Sequence, residues 1–158
     1  MNRATMPSPA SAEQFVQAEA LARSGKAGEA VQVAREISEH ADASGNDQSG
    51  ADQFGFRHLA QSLAGEHNTE ALQVASLAVS ADERRHLSDD VFLARDLTDW
   101  ADFYRMLGQP DRARDLLTRA ETIVRNCCGA ASPAMESVLQ ERVRMEHDLA
   151  AASARPVR

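Results

Sequence analysis

The chain has 158 residues and carries 24 acidic against 17 basic side chains, a formal charge of -7, so its own field works against nucleic acid or an anionic membrane as the main partner. Its length suits one domain with a real core and leaves little for a second. Apolar residues make up 43% but aromatic ones only 4%, so the core must be built from Leu, Ala and Val at close approach, which points to packed helices rather than a sheet.

Residues 1–10, with Pro7 and Pro9 among small polar neighbours, read as a disordered lead-in. The start of the chain lacks the charged and continuously apolar stretches of a signal peptide, and no run approaches the ~18 apolar residues of a membrane span, so a cytoplasmic protein is expected. Ser11 followed by Gln14 forms a capping-box pattern and opens a first helix on Phe15, Ala18, Leu21 and Ala22. Ser24-Gly25 breaks it, and Ala30, Val31, Val33, Ala34 and Ile37 carry a second. The Gly, Ser, Asn and Asp content of Ala41 to Asp52 predicts a solvated loop. A third helix follows on Phe56, Leu59, Ala60 and Leu63, then a turn near Gly65 with Asn68 as N-cap, then a fourth helix on Ala71, Leu72, Val74, Ala75 and Ala78.

Beyond the charged stretch Asp82 to His86, Ser88-Asp89-Asp90 supplies a cap with acids in the first turn for a fifth helix through Phe92, Leu93, Leu97, Trp100, Ala101 and Tyr104. Gly108 ends it. Pro110 then fits the first position of a sixth helix, where its missing N–H costs nothing, and Ala113, Leu116, Leu117, Ala120 and Ile123 form the apolar stripe. Gly129 closes that helix, and Ser132-Pro133 opens a seventh on Met135, Val138, Leu139, Val143, Met145 and Leu149, with Glu141, Arg142 and Glu146 facing water. Residues 153–158 read as a frayed end.

Gly25 and Gly108 each stand five residues before an alanine, Ala30 and Ala113, and a weaker copy joins Gly65 to Ala71; the alanines lie 41 and 42 residues apart. A period in that range marks helical repeats whose units bury their apolar faces by stacking. The expected fold is therefore all-α, with antiparallel helical hairpins over 11–152 and a C-terminal capping helix, about seven helices in all. Leu97, Trp100, Ala101, Tyr104, Gly108, Ala113, Leu117 and Ala120 bring the chain to a pattern that resembles the tetratricopeptide repeat (TPR) family. The likeness is to its longer variety, with repeats of about 42 residues, found in kinesin light chains and many bacterial regulators. Ala18, Leu21, Gly25, Ala30, Ala34 and Ile37 match in the first hairpin, while Leu59 and Ser62 depart from the family's small and aromatic residues in the second. The resemblance implies a right-handed α-solenoid in which the first helix of each hairpin lines a concave groove.

Carried onto this chain, the groove positions are Phe15, Glu19 and Arg23, then Gln53 and Phe56, then Arg95, Thr98, Asp102 and Arg105, with Gln140, Arg144 and His147 from the lid. Arg95, Arg105 and Arg144 would clamp a partner's carboxylates, because guanidinium binds them bidentately and keeps its charge. The competing fate is pairing with nearby acids such as Glu19, Asp99, Asp102 or Asp148, worth roughly 0–1 kcal/mol for each surface pair. Phe15 and Phe56 are apolar anchors for a partner, with the core as their other destination. Cys127 and Cys128 adjoin; a thiol sensor or soft-metal pair is the functional reading, set against the facts that adjacent cysteines close a strained ring at best, that no other cysteine completes a zinc set and that no disulfide framework exists. The histidines show no His-Glu-x-x-His spacing, and nucleophile elbow, phosphate loop and dinucleotide glycines are absent, so no catalytic residue, cofactor or metal is expected.

These features point to a non-enzymatic interaction module that holds a peptide or helix of a partner protein in its groove. The alternative is a ligand- or peptide-sensing regulatory protein of a bacterial signalling system, since similar repeats in bacterial regulators bind short signalling peptides. Lys26 is the sole lysine beside many arginines, a usage typical of GC-rich bacterial genomes. The seventh helix, through Met135, Val138, Leu139, Met145 and Leu149, could instead meet a second copy and give a homodimer.

Overall fold

The computed structural model describes residues 9–40, 49–85 and 90–155. Among them are seven α-helices and no strand: α1 Pro9–Arg23, α2 Ala27–His40, α3 Ser49–Leu63, α4 Asn68–Arg85, α5 Val91–Met106, α6 Pro110–Cys127 and α7 Pro133–Ser153. The contacts divide the chain into two compact units, Met1–Arg85 and His86–Arg158, within the stretch that the sequence groups as one domain. Residues 1–8 and 156–158 of the expected disordered ends lie outside the described residues. None of the described helices is long and apolar enough to cross a membrane.

In the first unit α1 packs on α2 and α3, and α4 packs on α3 and α2. Helix α1 starts at Pro9, ahead of the expected Ser11 cap, so Ser11 falls within its first turn. The turn that follows closes by two backbone bonds, Lys26 N–H to Leu21 O at 2.9 Å and Gly25 N–H to Ala22 O at 3.2 Å, with Gly25 at φ 79°. This is a Schellman closure, whose left-handed residue costs a side-chain-bearing amino acid roughly 1–2 kcal/mol. The turn after α5 repeats it bond for bond: Gln109 N–H to Tyr104 O at 2.9 Å and Gly108 N–H to Arg105 O at 3.0 Å, with Gly108 at φ 70°.

The middle turn departs from that pattern. Residues 64–67 separate α3 from α4, against 24–26 and 107–109 in the other two. That extra residue is why Gly65 precedes its alanine by one position more than Gly25 and Gly108 do. Asn68 does not cap its own helix as expected; its Oδ1 accepts the Gly65 N–H at 2.7 Å and stitches the longer turn shut.

Phe56, Leu59, Ala60, Leu63, Val74 and Ala75 are fully buried between α3 and α4, each large side chain contributing about 1.5–3 kcal/mol relative to exposure. Phe15 of α1 meets Phe56 edge-on with ring centroids 5.0 Å apart. Gly55 allows that approach, because a Cβ there would stand 2.6 Å from Phe15 Cε2. Residues 49–52 belong to α3 although the sequence predicts loop through Asp52; 41–48 lie outside the described residues. The helix gains its first turn from a distant partner, since buried Asp52 accepts from Arg85 at the end of α4. Beside it, Arg84 Nη2 donates to Ser38 O at 2.8 Å and Ser38 Oγ at 2.9 Å, which ties α4 to α2.

In the second unit all three helices pack on one another. Asp90 caps α5 by accepting the Phe92 N–H at 2.8 Å, so the cap comes from the expected segment, but the first turn of the helix lacks the acids that the sequence predicts there; Ser88 and Asp89 lie outside the described residues. Pro110 opens α6, and Ser132 Oγ accepts the Met135 N–H at 3.2 Å to cap α7 ahead of Pro133. Trp100 and Tyr104 are buried in the seam, with Trp100 edge-on to Phe103 at 5.6 Å and the Arg112 guanidinium 5.7 Å from the Tyr104 ring centre.

Helix α7 is rotated from its expected setting. Met135, Val138 and Met145 face inward as predicted, but so does Glu141, while Leu139 and Val143 are 43% and 65% exposed. The acid can face inward because Arg105 of α5 waits for it there, with its Nε donating to Glu141 Oε1 at 3.0 Å.

Candidate functional site

Helices α5 and α7, with the end of α6, enclose a cleft of about 390 Å³ in the second unit. Its floor is apolar, made by Ala94, Val124 and Val138. Phe92 stands at its edge 59% exposed, and Arg95, one turn further along α5, presents a side chain 71% exposed. Asp96 lies 3.8 Å from the Arg95 Nε, a separation that leaves the guanidinium largely to solvent. Thr98 also lines the cleft, but its hydroxyl donates to Ala94 O at 2.8 Å and so turns back on its own helix. A broader, shallower depression of about 570 Å³ runs along the outer face of α7 over Leu139, Val143 and Arg144.

No family model and no curated protein matches this chain. What the cleft can do rests on its chemistry, an apolar trough with an exposed aromatic ring and a permanent cation at one lip. An apolar side chain suits the trough, and a carboxylate suits the guanidinium.

The other predicted positions fall differently. Arg105 lines neither the cleft nor the shallower depression. It donates to Asp102, Glu141 and Asp148 together, and Arg144 Nη1 reaches the second oxygen of Glu141 at 3.3 Å. Desolvation pulls the Arg105 pKa down, but the hydrogen bonds to Asp102, Asp148 and Glu141 outweigh it and hold the guanidinium above its ordinary value. Burial pushes the Glu141 carboxyl up from its usual range, the neighbouring Asp102 charge adds to that, and Arg105 opposes both. Two arginines against three acids thus leave the cluster with a surplus carboxylate. Arg105 and Asp102 are fastening residues here, the fate that competes with partner clamping.

In the first unit, Phe15 is 6% exposed and Phe56 wholly buried, so both rings belong to the core. Glu19 is bracketed by Arg23 at 3.1 Å and His58 at 3.8 Å, an ordinary pairing along the α1 and α3 surfaces. Phe54, 66% exposed, stacks at a tilt on His58 with centroids 4.7 Å apart. Cys127 and Cys128 are joined to each other, which links no two elements. Among the described residues no three His, Cys, Asp or Glu side chains converge as a metal would require.

Phe92 is the cleft residue that pattern reading assigns to the helix interior. A signal was present: Leu93, Leu97, Trp100 and Tyr104 form the buried stripe, and Phe92 sits beside it, three residues from Arg95 and on the same flank.

Proposed function

We propose that the chain is a non-enzymatic interaction module built from TPR-like helical pairs, and that its second unit binds a short peptide segment in the α5–α7 cleft. The recurrence of one turn chemistry at Gly25 and Gly108 supports the repeat reading. The observation that carries the function is the pair Phe92 and Arg95, both exposed on the rim of an apolar cleft. A large exposed aromatic beside a guanidinium held only loosely by Asp96 is the kind of hot spot where truncation costs more than ~1 kcal/mol. The favoured ligand is a peptide with one apolar anchor next to an acidic residue or its own terminal carboxylate. A chain that senses a small signalling peptide would use the same chemistry.

The test is selection of a random peptide library on the immobilised chain, followed by fluorescence polarisation with the enriched peptides. Phe92→Ala and Arg95→Glu should each weaken binding by roughly tenfold, equivalent to about 1.4 kcal/mol, with the helical signal intact. Enriched peptides that bind both variants as well as the parent would remove the cleft as the working surface.

A further inference from the structure

We propose that Cys127 and Cys128 form a reversible dithiol–disulfide site that exchanges with low-molecular-weight disulfides, and that its state is felt in the wall of the α5–α7 cleft. The second half of this proposal rests on the cleft being a binding surface; the first half does not. Both cysteines are exposed, at the end of α6 and in the residue that caps it. Their bond closes a small ring around the single peptide link between them and cross-links no helix to another. Closing it therefore holds no two helices together, and small reagents can reach it from solvent.

The ring also sits on a mechanical junction. Cys128 N–H and Gly129 N–H both donate to Val124 O, at 2.9 and 3.1 Å, so the peptide unit inside the ring is the one that terminates α6. Val124 lines the cleft, as do Pro133 and Ala134 where the connection enters α7. The short segment carrying the ring is thus anchored at both ends in the cleft wall.

The chemistry balances as two exchanges. In the reduced chain one cysteine thiolate attacks a small disulfide, forming a mixed disulfide and releasing one small thiol. The neighbouring thiolate then attacks the protein-side sulfur of that mixed disulfide and releases the second thiol. Two electrons pass from the cysteine pair to the small disulfide, and the two protons of the pair end on the released thiols, directly or through solvent.

The experiment treats the reduced 158-residue chain with oxidised glutathione, then reads free thiols, intact mass and migration on a non-reducing gel. The expected result is loss of both thiols with no glutathione retained and no cross-linked dimer, reversed by dithiothreitol. Cys128→Ser should instead keep one glutathione, because the resolving thiol is gone. A parent chain that retains glutathione, pairs with a second copy, or keeps both thiols would overturn the exchange site. A peptide selected for the cleft should then bind the oxidised and reduced forms with affinities about fivefold apart. Equal affinities would overturn the coupling, whereas a peptide that binds neither form would count against the cleft reading and leave the thiol result standing.

Discussion

Gly55→Ala pits two known effects against each other. Replacing a glycine inside a helix ordinarily stabilises by about 0.5–1 kcal/mol, because less backbone entropy is lost on folding. Here the added Cβ would stand 2.6 Å from Phe15 Cε2 and 2.7 Å from Cγ, inside any tolerable contact. The ring is 6% exposed and rests edge-on against Phe56, so it cannot swing away without disturbing its neighbour. Overpacking of this kind costs about 1–3 kcal/mol, which set against the entropic gain leaves a net loss of up to ~2.5 kcal/mol. Urea titration followed by far-ultraviolet circular dichroism measures it. Phe15→Leu supplies the control: with the ring removed, the same Gly55→Ala change should become neutral or stabilising, giving a coupling of about 1 kcal/mol or more in a double-mutant cycle. A Gly55→Ala chain more stable than its parent would refute the close-approach argument outright.

Asp52→Ala should cost about 3–5 kcal/mol by stranding Arg85, since the two side chains are only 4% and 11% exposed; a loss below ~1 kcal/mol in urea would show that the pair does not hold α3 in place. Arg105→Gln leaves Asp102, Glu141 and Asp148 without their shared cation, and because Asp148 is half exposed the expected loss is nearer 2 kcal/mol, read as a lowered thermal midpoint. Arg95→Glu, on the open lip of the cleft, should stay within about 0.5 kcal/mol of the parent in the same assay. Glu141 has its folded pKa raised, so the folded chain holds that proton more tightly than the unfolded one and the carboxyl stabilises more as pH falls through the window above its ordinary value. Glu141→Gln should accordingly match or exceed the parent at pH 7 and lose ground to it on acidification. A variant that is weaker at pH 7 and recovers in acid would reverse the sign of that argument.

The local signals in this sequence translated well where one short segment decides its own geometry. Gly25, Gly108, Pro110 and the Ser132-Pro133 pair each name a turn or helix start, because φ restrictions and capping act within a few residues. Asp52 escaped because its neighbours spell a loop, whereas the partner that draws it into a helix lies 33 residues on at Arg85. Glu141 escaped for a related reason. A charged residue on a helix flank reads as solvated, and only the position of Arg105 on another helix makes burial affordable. The cleft was half legible: Arg95 came from the groove positions that the resemblance implies, but Phe92 reads as core because hydrophobicity alone does not say which of two adjacent apolar residues turns inward.

Glu141 and Asp148, the two acids that α7 brings to Arg105, also decide which alignment of α7 the chain can adopt. Met135, Val138 and Met145 are flexible or small apolar side chains that would pack almost as well if the helix slid by one turn along α5 and α6. Such a slip would bring an apolar side chain to the guanidinium in place of Glu141 and leave it Asp102, on its own helix, as its remaining close acid. The apolar stripe thus says that α7 must cover the unit, while one arginine sets the notch in which it comes to rest.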